Sequence, residues 1–125
     1  MPRQNYKIIT TQPLDLAHQT QDTINEYIRQ DRSFGRIVCR CEQISEGEIR
    51  ACIRGPLGAR TIDGVKRRAR PGAGRCQGGF CQPVVLALLA EELKISKNQV
   101  CLDGRGTTIL TSETKQSGGS SHEPQ

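Results

Sequence analysis

A chain of 125 residues with 34% hydrophobic residues, 3% aromatics and no Trp makes one small domain with a thin core. Its longest apolar run, Val84 to Ala90, is too short to span a bilayer, and the polar start Met1-Pro2-Arg3-Gln4-Asn5 is not followed by the apolar segment of a secretory signal. The formal net charge is +5, and between Arg32 and Arg75 there are 11 Lys and Arg against 4 Asp and Glu; such a surplus suits a nucleic acid, an acidic partner or a bound anionic group, and is otherwise a solvated basic face.

Residues 1–31 read as an N-terminal extension. Tyr6, Ile8 and Thr10 alternate with Lys7 and Ile9, which suggests a short strand. Within 14–31, which also holds Leu14 and Leu16, the spacing of Ile24, Tyr27 and Ile28 marks one face of a helix. Phe34-Gly35-Arg36-Ile37-Val38 is expected to run extended into Cys39. Ser45 followed by Glu48 is a capping box, and Ile44 and Ile49 stand where a hydrophobic staple packs. This helix should run to about Ile53 and stop before Gly55-Pro56. Thr61 caps a second helix over Ile62 to about Ala69, with Asp63 in its first turn. Two short helices with Gly58 in the turn between them give a helix-turn-helix outline.

Pro71-Gly72-Ala73-Gly74 opens a glycine-rich loop that runs through Gly78-Gly79. Pro83 is expected at the first position of a third helix. Val84 to about Leu93 is apolar on most sides, as a buried helix is. Ser96 to Leu102 reads as a turn and a short extended piece, and Thr107 to Leu110 as a short strand. The Ser, Gly, Gln, Glu and Pro content from Lys115 predicts a disordered tail, here 113–125. The fold class expected is mainly α, with a few short extended segments and the chemistry held in loops of residues 32–112.

A thin core needs a staple, and six cysteines could be disulfides or metal ligands. Without a secretory signal the expected setting is intracellular, where thiols stay reduced, and a Cys39–Cys41 bridge would be strained. Metal is therefore favoured. The pattern is Cys39-x-Cys41, then 34 residues, then Cys76-x4-Cys81. Thiolates suit both zinc and iron–sulfur clusters. Zinc pairs are usually spaced two to four residues apart, whereas a cluster spreads its ligands over a larger object. Spacing leaves both open. Glycines around Cys76 let backbone amides approach sulfur, and the helix after Cys81 places its positive end near that thiolate. A cluster held by four thiolates carries about −2, which accounts for part of the basic surplus.

The segments Ile37-Val38-Cys39-Arg40-Cys41-Glu42, Ser45-Glu46-Gly47-Glu48-Ile49, Thr61-Ile62-Asp63-Gly64-Val65-Lys66-Arg67-Arg68 and Gly74-Arg75-Cys76-Gln77-Gly78-Gly79-Phe80-Cys81 resemble the BFD-like 2Fe–2S domain, in the version found at the C-terminus of FAD-dependent, anaerobic-type glycerol-3-phosphate dehydrogenases. The resemblance covers about residues 32–112. It implies a mostly helical fold with a 2Fe–2S cluster on Cys39, Cys41, Cys76 and Cys81, no catalytic residue of its own, and a relay of electrons from a flavin to an acceptor. The partner implied is the flavin domain of a parent dehydrogenase. The second cysteine pair is longer than in bacterioferritin-associated ferredoxins, which argues against a bacterioferritin partner. No flavin-binding glycine motif lies in this chain, so FAD would belong to the parent, and the domain would be a detached part of it. The location implied is cytoplasmic, or at a membrane through the parent enzyme.

Cys52 shares an apolar helical face with Ile49 and Ile53 and is expected in the core. Cys101, after Val100, reads as a small hydrophobe. His18 and His122 lie outside the motif and do not make a Rieske-type site. Lys66, Arg67, Arg68, Arg70 and Arg75 form a solvated face, compensate a cluster or dock an acidic partner. Arg40, between two ligands, is placed to tune the site, and Phe80 is expected to shield it or to join the core. Two other functions compete with the relay. A zinc-stabilised nucleic-acid-binding or interaction module fits the helix-turn-helix outline and basic surplus, although aromatics for stacking are scarce, so no nucleic acid is expected. An iron–sulfur sensory or assembly domain is the third reading.

Overall fold

The structure is a computed structural model and describes residues 14–112. The alternation at Tyr6–Thr10, the tail and His122 lie outside the described residues. Four helices carry the fold: α1 (Gln21–Gln30), α2 (Glu46–Arg54), α3 (Ile62–Ala69) and α4 (Gln82–Leu93). The chain is mainly helical, as its periodicity implies. A two-stranded antiparallel ribbon, β1 (Ile37–Cys39) and β2 (Ile44–Ser45), stands in front of α2.

Capping decides where the helices begin. The Ser45 hydroxyl accepts from the Glu48 amide and the Glu48 carboxylate accepts from the Ser45 amide, so two donors without helical partners are satisfied reciprocally. Glu48 is buried, and its other oxygen accepts the Leu16 amide at 2.8 Å. That bond ties residue 16, itself in the core, to the start of α2. Thr61 caps α3 by accepting from the Gly64 amide. The first two amides of α3 donate to the carbonyls of Cys101 and Leu102 at 3.1 and 2.9 Å, so the C-terminal segment completes that helix end. Pro83 is the second residue of α4, which begins at Gln82, one position before the expected start.

α2, α3 and α4 enclose one core centred on Ile49, Val65, Leu89 and Val100, all essentially inaccessible. Ile44 joins it beside Ile49, as a staple does. α1 packs apart from this core. Its Tyr27 ring lies 5.2 Å from that of Phe34. Phe34 in turn lies flat against Gly47 in α2, where a Cβ would come within 2.4 Å of the ring.

Two local expectations are corrected. Phe34 and Gly35 belong to a 3-10 turn, Arg32–Gly35, capped by the Asp31 carboxylate, so the extended run starts only at Ile37. Lys97–Gln99 is a second 3-10 turn, within the turn expected for Ser96 to Leu102. Thr107 to Leu110 contributes one bridge, Thr108 to Cys101, because no further strand pairs with it among the described residues. The β1–β2 pairing was not visible in the periodicity, since three-residue strands are too short to show alternation.

Charged side chains lock α2 onto α4. Arg50 donates to Glu46, Glu91 and Glu92, and Arg54 grips Glu92 through two nitrogens at 2.7 Å. Arg54 first, and Arg50 with it, hold the Glu92 carboxyl below its ordinary value of 4.5. A carboxyl lowered in the folded state adds stability above its unfolded value, and this is lost as pH falls through the folded value. Glu92→Gln is therefore expected to cost about 2 kcal/mol at neutral pH. In urea unfolding the gap to the unaltered protein should close once the pH is well below 4.5.

Candidate metal centre

Cys39 ends β1, and the turn after it carries Cys41. Cys76 lies in the turns between α3 and α4, and Cys81 is the residue that precedes α4. Two strand–turn residues and two loop–helix residues, far apart in the chain, line one open cavity of about 550 Å³. Cys39 and Cys81 form its buried floor, while Cys41 is exposed at its edge.

The sulfurs meet across the two motifs. Cys41 Sγ lies 3.4 Å from Cys76 Sγ, and Cys39 neighbours Cys81 in the same cavity. No three His, Cys, Asp or Glu side chains among the described residues are set to hold one metal ion. A single tetrahedral ion needs its ligands to converge on one point, whereas a two-iron cluster takes four thiolates spread over two ions. Two sulfur pairs on the wall of one cavity fit the second demand. All six cysteines are unbridged, so the donor set is chemically available.

The backbone supports the thiolates unequally. Cys76 is held below its ordinary value by the hydrogen bond from Cys41, and then by backbone amides of the glycine-rich loop, Phe80 and Gly78 foremost. Cys81 is pushed up to about 11, first by burial and then by the neighbouring Cys39. The positive end of α4 at Cys81 favours its charged form, but burial outweighs it. A bound cation would reverse that balance, because coordination deprotonates a thiol.

Two features of the site carry no ligand atom. A Cβ on Gly74 would lie 2.4 Å from the Cβ of Cys41, so the loop backbone rests directly on that cysteine. Arg70, in the left-handed conformation that ends α3, reaches Glu42 at 3.3 Å. The two loops are thereby fastened just beside Cys41 and Cys76. Gly74 stands inside the glycine-rich segment, but the sequence offered no sign of which glycine makes the close approach.

The remaining candidates fall where side-chain chemistry puts them. Cys52 packs against the core, and burial pushes its thiol up to about 11. Cys101 donates to the Gln99 carbonyl. His18 is exposed and pairs with Asp15. Arg40 and Arg75 are exposed, and Arg40 lines the cavity. Phe80 does not join the core: it is 86% exposed at the cavity mouth.

Residues 37–91 match the BFD-like [2Fe-2S] binding domain. The chain is 51% identical over 96 residues, 77% of its length, to a glycerol 3-phosphate dehydrogenase of Caloramator mitchellensis, of which it covers 20%. It is 39% identical over 80 residues, 63% of its length, to one of the subunits of opine oxidase from Rhizobium meliloti, covering 14% of that protein. A third match is 42% identical over 45 residues, 36% of this chain, to hydrogen cyanide synthase subunit HcnB of Pseudomonas aeruginosa, covering 9% of it. The chain thus spans a fifth or less of these relatives. No solved structure matches it.

Two measurements follow from the geometry. Gly74→Ala should weaken metal retention by roughly ten-fold or more, as supporting residues of metal sites do, with helix content unchanged by circular dichroism. In the metal-free chain, Cys52 should alkylate at least about ten-fold more slowly than exposed Cys41 at neutral pH, since burial raises the Cys52 thiol and limits access to it. Mass spectrometry of peptides reads both rates.

Proposed function

Residues 37–91 of this chain belong to the BFD-like [2Fe-2S] binding domain family, and from that premise we propose that Cys39, Cys41, Cys76 and Cys81 are the cluster ligands and that the chain relays electrons from the flavin of a glycerol-3-phosphate dehydrogenase-like oxidoreductase. In broader terms it is an electron-transfer domain of the kind oxidoreductases carry. The observation that carries the ligand assignment is the pairing of Cys41 with Cys76 and of Cys39 with Cys81 on one cavity wall.

A bound 2Fe–2S cluster supplies one-electron redox chemistry at a potential set by charge, hydrogen bonds to sulfur and solvent exposure. The chain's own residues act on each of these. Backbone amides after Cys76 donate toward its sulfur. Arg40 brings positive charge to the cavity wall. Val38, Val84 and the buried Cys39 and Cys81 limit water on one side, while the open edge at Cys41 and Phe80 leaves a path to a redox partner. The titratable side chains lining the cavity are its four thiols and the arginines Arg36 and Arg40.

The 51% identity to a glycerol 3-phosphate dehydrogenase supports the parent enzyme proposed, with FAD bound outside this sequence and the flavin domain as partner. Anaerobically purified protein should contain about two iron and two sulfide per chain, absorb in the visible, and give a paramagnetic signal after one-electron reduction. Cys41→Ser should lose that signal and Cys101→Ser should keep it. One zinc per colourless chain would overturn the assignment. In a parent dehydrogenase, loss of electron delivery to the acceptor with flavin reduction intact would distinguish the relay from a sensory or assembly role.

A further inference from the structure

Phe80 directly precedes Cys81, yet the two differ as much as neighbours can: Cys81 is 2% exposed and Phe80 86%. A ring left in water next to a buried ligand forgoes a large apolar burial, so its exposure points to a surface that covers it elsewhere. Ile37, 45% exposed, lines the same cavity, as does Arg40. The cavity wall includes Arg36 and Arg40 and no carboxylate. Arg36 is engaged by Glu46, while the ion pairs formed among the described residues leave Arg40 unengaged. An aromatic, an aliphatic side chain and an available arginine around one opening have the composition of an interface centre.

Resting on the relay reading, we propose that Phe80, Ile37 and Arg40 form the docking surface for the flavin-bearing part of the longer enzyme, whose facing surface is acidic around an apolar recess for the Phe80 ring. The length of the relatives supplies this occupant: four-fifths of the glycerol 3-phosphate dehydrogenase lies outside the matched portion. Charge supplies its sign, since a wall with arginines and no carboxylates recruits an acidic surface. Position supplies its purpose, because a partner seated on Phe80 closes the open edge of the thiolate cavity and brings its own redox group near. Leu57 is equally bare, at 85% exposed, but it lies between α2 and α3 against a different hollow and is no part of this surface.

The test uses the full cluster-loaded chain, with reduced flavodoxin, a small acidic flavoprotein, as the probe. Binding is read by calorimetry at several salt concentrations and cluster reduction by stopped-flow absorbance. Phe80→Ser is expected to weaken binding and slow sub-saturating reduction by roughly ten-fold or more. Arg40→Gln should flatten the salt dependence. Iron content should be unchanged in both, the paramagnetic signal should be unchanged in Phe80→Ser, and Leu57→Ser should behave as the unaltered chain. Reduction of all variants at one rate would overturn the docking surface and leave the relay standing. A cluster in the unaltered chain that accepts no electron even from dithionite would overturn the relay and this surface with it. A dimer in sedimentation that Phe80→Ser dissolves would make the occupant a second copy and overturn the proposal.

Discussion

Where Gly74 meets Cys41, two loops come together with no room for a side chain between them: a Cβ would stand 2.4 Å from the cysteine's own. This close approach brings a C-x-C turn and a C-x4-C loop, 34 residues apart, onto one cavity. The helices can be understood as the means of holding it. α3 ends at Arg70 in a left-handed conformation that only a tight reversal requires, and the Arg70 side chain then reaches back to Glu42. α4 starts directly after Cys81 and runs inward through Val85, Leu86 and Leu89, anchoring that cysteine to the core. β1 is anchored by its pairing with β2, and β2 leads directly into the capping box of α2.

The basic surplus divides into arginines that have structural partners and arginines that do not. Arg36, Arg50, Arg54 and Arg70 are committed to Glu46, Glu91, Glu92 and Glu42. Arg50 is the most enclosed of these, with its side chain 17% exposed, and it bridges two helices. Such a pair stabilises only because every member has several hydrogen bonds; a lone partner would be a buried charge. Arg40 and Arg75 stand outside this framework and remain exposed, close in sequence to the cysteines. The charge that matters for function is therefore a small fraction of the charge that composition reports.

A small chain with few aromatics has to obtain specificity from backbone closeness and polar ties. Phe34 lies against Gly47, Leu16 is tied to Glu48, and the carbonyls of Cys101 and Leu102 cap α3. Each joins segments distant in sequence, and each depends on a backbone group or a missing side chain. Such contacts are stabilising only when geometry is held closely.

Local chemistry was readable directly. The capping box at Ser45 and Glu48, the cap at Thr61, and the apolar length of α4 are short-range relations, so residue type and spacing along the chain are enough to specify them. The cysteine pairs and their glycines marked the site for the same reason, and resemblance narrowed zinc or iron–sulfur to one cluster type. Other features depended on long-range partners. The β1–β2 ribbon, the burial of Glu48, the Arg50 network and the outward turn of Phe80 each arise where chain segments meet. Which sulfur faces which is of the same kind: Cys41 pairs with Cys76, and Cys39 with Cys81. Residue identity and spacing specified most helix ends, because those are local. The juxtaposition of the cysteines, and the exposure of the residues around them, came from packing three helices on one core, because distance in space between remote segments is not encoded in their separation along the chain.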